Sequence, residues 1–416
     1  MRTALMLAFH FPPFAQSSGS IRTISFVRHL SANGWKPIVL TAREAVYPDV
    51  DQRSLAMVPA GSDIVRAPGL DIARHLAIAG RYPNWLATPD RWNTWAACAF
   101  LRGLACIRRY RPHVLWATFP IASALAAAMA LRRFSHIPLI LDLRDPLVYE
   151  GWPNDRWTRR SYSRIERRAV AVAAAVVVTT PGARRLYVER YPNLPLSRFR
   201  LIANGIDDAM PTSELNALRA QPAPLLLVHS GLMEIPDRDP SALFEAIAKL
   251  RERGEVSPET LRVVLRASGR DAAYRRQIAE LKIDGIVRVE GRVSHPEALE
   301  EMRRADGLLL LQGAQCGRQI PAKAYEYLAC RRPIIGLLDP AGDTHELISK
   351  QWQIPYVGAM DSAPEIAEVL RKFIGDCRAQ QAFVPAASLL DQHSRAAGAR
   401  QLAQLFDEVS NRGADV

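Results

Sequence analysis

The feature that most constrains this sequence is a succession of short, almost unbroken apolar runs, each followed by a longer amphipathic stretch. A strand with one face in water alternates apolar and polar residues. Runs without alternation are buried on both faces, as in a parallel sheet covered by helices. In the first half they fall at 3–9, 36–41, 113–117, 138–142, 176–180 and 199–203, and in the second at 225–229, 261–266, 286–289, 308–311 and 333–338. Between the first two, a helix expected over 20–32 places Ile21, Ile24, Val27 and Leu30 on one side, and Asn33-Gly34 ends it. This is a βαβ unit, and the pattern predicts an α/β chain.

At 416 residues, the chain exceeds one average core of about 150 residues. Two matching sets of runs argue for two Rossmann-like, doubly wound domains facing a cleft, a common location for ligands. The turn-rich stretch 204–224 reads as the linker. The expected boundaries are 1–205, 223–375 and a helical tail at 376–416, whose last helix covers about 395–411.

Apolar residues make up 49% and charged residues 23% of the chain, as in a folded protein. The five cysteines form no C-x-x-C pair, which argues against a zinc site or disulfide framework and for a reducing cytoplasm. The opening MRTALMLAFHFPP reads as a strand rather than a targeting segment. The apolar stretches 121–131 and 169–178 fall short of the ~18–20 residues of a membrane span.

Charge divides unevenly. Residues 1–205 carry 28 Lys plus Arg against 12 Asp plus Glu, a net of +16, and the remainder carries −4. A basic half suits an anionic partner such as a lipid headgroup, a diphosphate or a nucleic acid, or is simply an Arg-rich solvated surface. The segment 81–112 combines Trp85, Trp92 and Trp95 with many arginines. That mixture suits peripheral contact with an anionic membrane, or else a helix that turns its indoles into the core.

In "GRQIPAKAYEYLACRRPIIGL" (317–337), Lys323 and Glu326 stand at the start of a helix between two apolar runs. Three residues apart, they can form a surface ion pair. Their position at the carboxyl edge of a parallel sheet is also where ligands bind.

Four stretches in order, "FPPFAQSSGSIRTISFVRHL", "LIANGID", "HSGLMEIPDRDPSALFEAI" and "RQIPAKAYEYLACRRPIIGL", resemble the retaining nucleotide-sugar glycosyltransferases of the two-domain GT-B architecture (glycosyltransferase family 4-like, glycosyl transferases group 1). The resemblance covers nearly the whole chain. It implies that the first domain receives an acceptor hydroxyl, on a glycan or lipid-linked precursor, and that the second holds a nucleoside-diphosphate sugar as co-substrate. No other cofactor, no metal and no nucleic acid are expected.

On that resemblance, Lys323, Arg238 and Asp145 are the catalytic candidates, and Gly19, Gly231, Arg266, Arg292 and Glu326 the donor-binding ones. Lys323 would stabilise charge on the leaving diphosphate at a helix N-terminus, and Glu326 would accept from ribose hydroxyls. Glu326 matches the second glutamate of a pair eight positions apart, whereas Arg318 occupies the first. Leu232 stands where the family has an arginine and Arg238 where it has a lysine. Arg238 alternatively pairs with Asp237 or Asp239, and Gly19 alternatively serves a tight turn. In "LDLRDP" (141–146), Asp145 would orient an acceptor hydroxyl or the sugar, unless Arg144 bridges internally to Asp145 or Asp142. His10 and His113 are read as structural. A sugar-nucleotide epimerase, a non-catalytic partner in polysaccharide assembly and a nucleic-acid binder, the last through 152–168, are the rival readings.

Overall fold

The computed structural model describes residues 1–15, 18–149, 151–206 and 224–412, so most of the linker expected at 204–224 lies outside the described residues. The chain forms two compact units. One comprises Met1–Asn204 and Arg395–Val416, the other Gly205–Ser394.

The first unit contains β1 (Arg2–Leu7), β2 (Trp35–Ala42), β3 (Asp63–Ala67), β4 (Val114–Thr118), β5 (Leu139–Leu143), β6 (Ala175–Val178) and β7 (Phe199–Leu201), in the spatial order β3-β2-β1-β4-β5-β6-β7. Every pairing is parallel. The core strands β4, β5 and β6 are buried at each position, which is why their sequences show no alternation. The second unit repeats the plan with β8 (Leu225–Ser230), β9 (Leu261–Arg266), β10 (Val287–Glu290), β11 (Gly307–Gln312), β12 (Ile334–Leu338) and β13 (Val357–Ala359), ordered β10-β9-β8-β11-β12-β13 and again parallel. In each sheet the winding reverses between the first and fourth strands of its set. A crevice opens at the carboxyl ends there, and ligands bind in such crevices.

Two strands escaped the sequence reading. Both β3 and β13 are sheet edges; β3 is half-buried along most of its length, and β13 is three residues long. Neither produces the continuous apolar run of a central strand.

The tail expected at 376–416 as a separate piece is divided between the units. The Arg395–Arg412 helix packs on the Ser18–Leu30 helix of the first unit. Phe406 lies edge-on to Trp35 at 5.1 Å, and Arg2–Asp407 (3.0 Å) and Arg200–Glu408 (2.7 Å) pin its exposed side. Residues up to Ser394 remain with the second unit, where the Trp352 indole donates to His393 at 3.0 Å.

Candidate active site

In the second unit the chemistry gathers where β8 and β11 end. Gly231 follows β8 with φ +119°, a conformation that L side chains rarely adopt, and a Cβ there would collide with the Lys323 ammonium. Lys323 reaches Gly231 from the Ala322–Cys330 helix and donates to the Ser230 carbonyl. Burial lowers its pKa to about 8, against the opposing pull of Glu326, with Arg238 lowering it further. We expect Gly231→Ala to cost about 1–3 kcal/mol of stability in the second unit from backbone strain and to push Lys323 away, checked by urea unfolding and by loss of ligand-induced stabilisation.

Tyr327 fixes this corner by accepting from the Ser230 N–H and donating to the Leu309 carbonyl, both at 3.2 Å. His229 lies beneath, fully buried, its Nδ1 2.9 Å from the Leu309 carbonyl; burial first, then Lys323, depresses its pKa to about 3, so it stays neutral. The helix carrying Lys323 begins at Pro321 with no side-chain cap. Its first N–H groups and dipole therefore favour an anion. Glu326, half-buried one turn further along the helix, has no hydrogen-bond partner among the described residues.

The preceding loop is held by Gln312, which donates to the carbonyls of Cys316 (2.8 Å) and Gln319 (3.0 Å), and by Thr344, which bonds Gln312 and Gln319. The sequence reading missed Gln312, Thr344, Tyr327 and His229. Only the polar end of an otherwise apolar β11 hinted at the first.

The other donor-site candidates divide. Arg238 lies near Asp237 (3.5 Å) and makes a long bond to the Leu232 carbonyl (3.4 Å), so its guanidinium is only weakly committed. Arg266 is committed: Glu301 grips it bidentately at 2.9 and 2.6 Å, and the Gly291 carbonyl takes a third donor. Arg292 is exposed just beyond β10. Leu232 is exposed too.

In the first unit, Gly19 is buried, and the space before it is filled by the Arg144 guanidinium, which a Cβ would strike. A side chain of the protein, rather than open room for a phosphate, occupies that approach. Arg144 donates from Nε (2.9 Å) and Nη2 (2.7 Å) to the Phe119 carbonyl at the end of β4. Asp142 is bound instead by Arg22, bidentately at 3.1 and 2.9 Å. Arg22 also reaches the Ala203 and Ile202 carbonyls, tying its helix to β5 and the strand-end of β7. Neither internal bridge from Arg144 forms among the described residues. Asp145 is left half-buried, with no hydrogen bond among the described residues, and burial pushes its carboxyl above the usual range despite Arg144. His10 stacks on Phe14 at 4.4 Å, and burial with Arg144 lowers its pKa to about 3. Among the described residues, no cluster of His, Cys, Asp or Glu could hold a metal ion.

The sequence profile of the glycosyl transferase 4-like domain matches residues 20–205. We call this span the glycosyl transferase 4-like domain for that similarity. With its second Rossmann-like unit, the chain has the GT-B fold, and solved structures agree in fold along its length. Sucrose-phosphate synthase from Thermosynechococcus elongatus superposes with TM-score 0.62 at 13% identity, covering 100% of this chain and 98% of that one. Anabaena HepE, solved with UDP and glucose, gives 0.60 at 13%, covering 100% and 99%. The UDP-GlcNAc 2-epimerase of Neisseria meningitidis, bound to UDP-GlcNAc, gives 0.55 at 11%, covering 98% and 100%. No curated protein matches the chain in sequence.

Within the glycosyl transferase 4-like domain the tryptophans of 81–112 separate. Trp95 is fully buried against Phe9 (5.2 Å), and half-buried Trp92 tilts on the same ring (5.0 Å). Trp85 alone of the three stands out in solvent. No helix among the described residues is long and apolar enough to cross a membrane.

Proposed function

We propose that the protein transfers a sugar, with retained configuration, from a nucleoside-diphosphate sugar held by the second unit to a hydroxyl of a glycan or lipid-linked precursor received by the glycosyl transferase 4-like domain. The observation that carries this reading is the Lys323 ammonium, half-buried beside Gly231 where β8 ends and near an uncapped helix N-terminus. A half-buried cation whose hydrogen bond among the described residues is to a carbonyl, with Glu326 and a second cation, Arg238, nearby, favours an anionic ligand. A diphosphate fits, with Lys323 and Arg238 opposing the charge that develops on departure. Glu326, unpartnered one turn along, accepts from the ribose hydroxyls. Asp145, with its raised pKa, orients the acceptor hydroxyl, and the departing diphosphate itself takes the proton. Of the other donor-site candidates, Arg292 remains available, and Arg266, its side chain held by Glu301, supports the site through its carbonyl, which accepts from the Gly231 N–H. HepE and the epimerase, similar in fold, were solved with UDP-containing ligands, which supports a uridine nucleotide as the first donor to try.

The test is a thermal-shift panel of nucleotide sugars on wild type, Lys323→Ala and Glu326→Gln, followed by product analysis. One donor should stabilise wild type and lose most of its effect in both variants. Equal stabilisation of all three would remove this site assignment, and turnover of the donor without any acceptor would favour epimerisation. The pH dependence has a definite sign. An anion favours protonated Lys323, whose unliganded pKa is about 8. Donor affinity should therefore be flat below pH 8 and weaken above it as the free site loses its proton. Titrations across that range should show the inflection in wild type and none in Lys323→Arg.

A further inference from the structure

We propose that an outward groove of the glycosyl transferase 4-like domain, between the Asn84–Ala87 turn and the Arg156–Val172 helix, docks on the surface of an anionic phospholipid bilayer. The groove has a volume of about 720 Å3 and is lined by Asn84, Trp85, Thr88, Trp157, Arg160, Ser161 and Arg164. Among the described residues its lining has no acidic side chain. Trp85 and Trp157 are 74% and 63% exposed, so two indoles from separate parts of the sequence meet at one solvent-facing site.

The helix explains the one-sided charge. Asp155 caps it through the Thr158 N–H (2.7 Å) and hydroxyl (2.6 Å), and its single acidic residue, Glu166, points inward. Glu166 is taken up by Arg190, Tyr187 and Tyr191. Tyr162, Ile165, Ala169 and Val170 pack on the core with it. At helical spacing, the opposite face is Trp157, Arg160, Ser161 and Arg164. Neither Arg160 nor Arg164 has an ion-pair or hydrogen-bond partner among the described residues. On the far wall the turn bearing Trp85 is fixed from behind, because the Asn93 amide donates to the Leu86 and Thr88 carbonyls.

Unpaired guanidiniums one helical turn apart suit phosphates spaced along a surface, and apolar walls with exposed indoles suit the adjoining glycerol and upper acyl region. Tryptophan settles at that level, and arginine extends to the headgroups while its stem stays in apolar surroundings. A free polyanion would use the arginines but leave the indoles in water. The net +16 of residues 1–205 would steer approach to an anionic leaflet. The docking surface thereby relocates the sequence expectation, from the whole segment 81–112 to Trp85 joined by the 157–164 face. Its purpose rests on the reading of a lipid-linked acceptor, but its test requires no sugar transfer, so either can fail alone.

The experiment is co-sedimentation of the full chain with phosphatidylcholine vesicles, with and without about one-third phosphatidylglycerol. Wild type should bind only the anionic vesicles, and binding should fall as salt rises. The double variant Arg160→Gln/Arg164→Gln should partition about thirtyfold less, at roughly fivefold per removed charge. Trp85→Ala/Trp157→Ala should bind more weakly with its charge intact and lose part of the vesicle-induced blue shift of indole fluorescence. All four residues are exposed, and an unchanged thermal midpoint will show that each variant folds. Equal binding to both vesicle types, no binding, or full binding by either double variant would overturn the proposal. So would binding to single-stranded RNA that exceeds vesicle binding and ignores the tryptophan changes.

Discussion

Lys323→Ala is expected to slow sugar transfer by about 10²–10³-fold, the usual consequence of removing one preorganised group that opposes developing charge. The fall should appear mainly in kcat, because charge on the diphosphate is greatest as the glycosidic bond breaks. The variant should nonetheless fold at least as well as wild type. Lys323 holds a folded-state pKa of about 8 against an ordinary 10.5. Between those values the unfolded chain binds a proton at Lys323 that the folded unit lacks, so Lys323's contribution to the stability of the second unit rises with pH across that window. Below pH 8 the buried ammonium is charged and costs stability. Alanine removes both the cost and the rise. Loss of activity at undiminished thermal stability, with a smaller rise in stability between pH 8 and 10.5 than wild type shows, is the combined signature. A variant that lost activity by unfolding, or that kept most of its turnover, would remove Lys323 from the catalytic role.

The fold was legible where burial acts on whole strands. Central strands such as β5 and β11 meet helices on both faces, so each position must be apolar and the run stands out in the sequence. The edges β3 and β13 meet neighbours on one side only and fade into their surroundings. Part of the site was legible for a related reason. Gly231 and Lys323 sit at the switch point of the second sheet, which the order of strands and helices locates. Pairings across long sequence separations were not legible. Arg266 looks like a free cation until Glu301 is seen to hold it, and Gly19 looks like room for a phosphate until Arg144 fills it. Arg22 carried only the weak signal of a charge beside the apolar stripe of its helix, yet it organises the crevice of the first unit.

That last residue sets the largest expected effect on stability. Arg22 and Asp142 are both buried, with side-chain exposures of 8% and 1%. Replacing Arg22 with Met would leave the carboxylate, among the described residues, a hydrogen bond from the Thr118 hydroxyl at 3.3 Å and the more distant charge of Arg144, and a poorly compensated buried charge costs about 3–5 kcal/mol. The loss should be largely recovered in Arg22→Met/Asp142→Asn, where no charge remains to be compensated, and a double-mutant cycle of thermal unfolding measures that coupling. Asp145, a few residues on, should behave in the opposite way. Its folded-state pKa is raised by burial, so the folded domain keeps a proton that the unfolded chain releases, and stability falls as pH rises through that window. At neutral pH this lost stability is a cost. Asp145→Asn should therefore raise the midpoint of the glycosyl transferase 4-like domain at pH 7 while lowering the rate of transfer to the acceptor. Two neighbouring aspartates would then be separated by one pair of measurements, Asp142 as the anchor of Arg22 and Asp145 as a carboxylate kept unpaired for the acceptor. If Asp145→Asn destabilised the domain and left transfer unchanged, its assignment to the acceptor hydroxyl would fail.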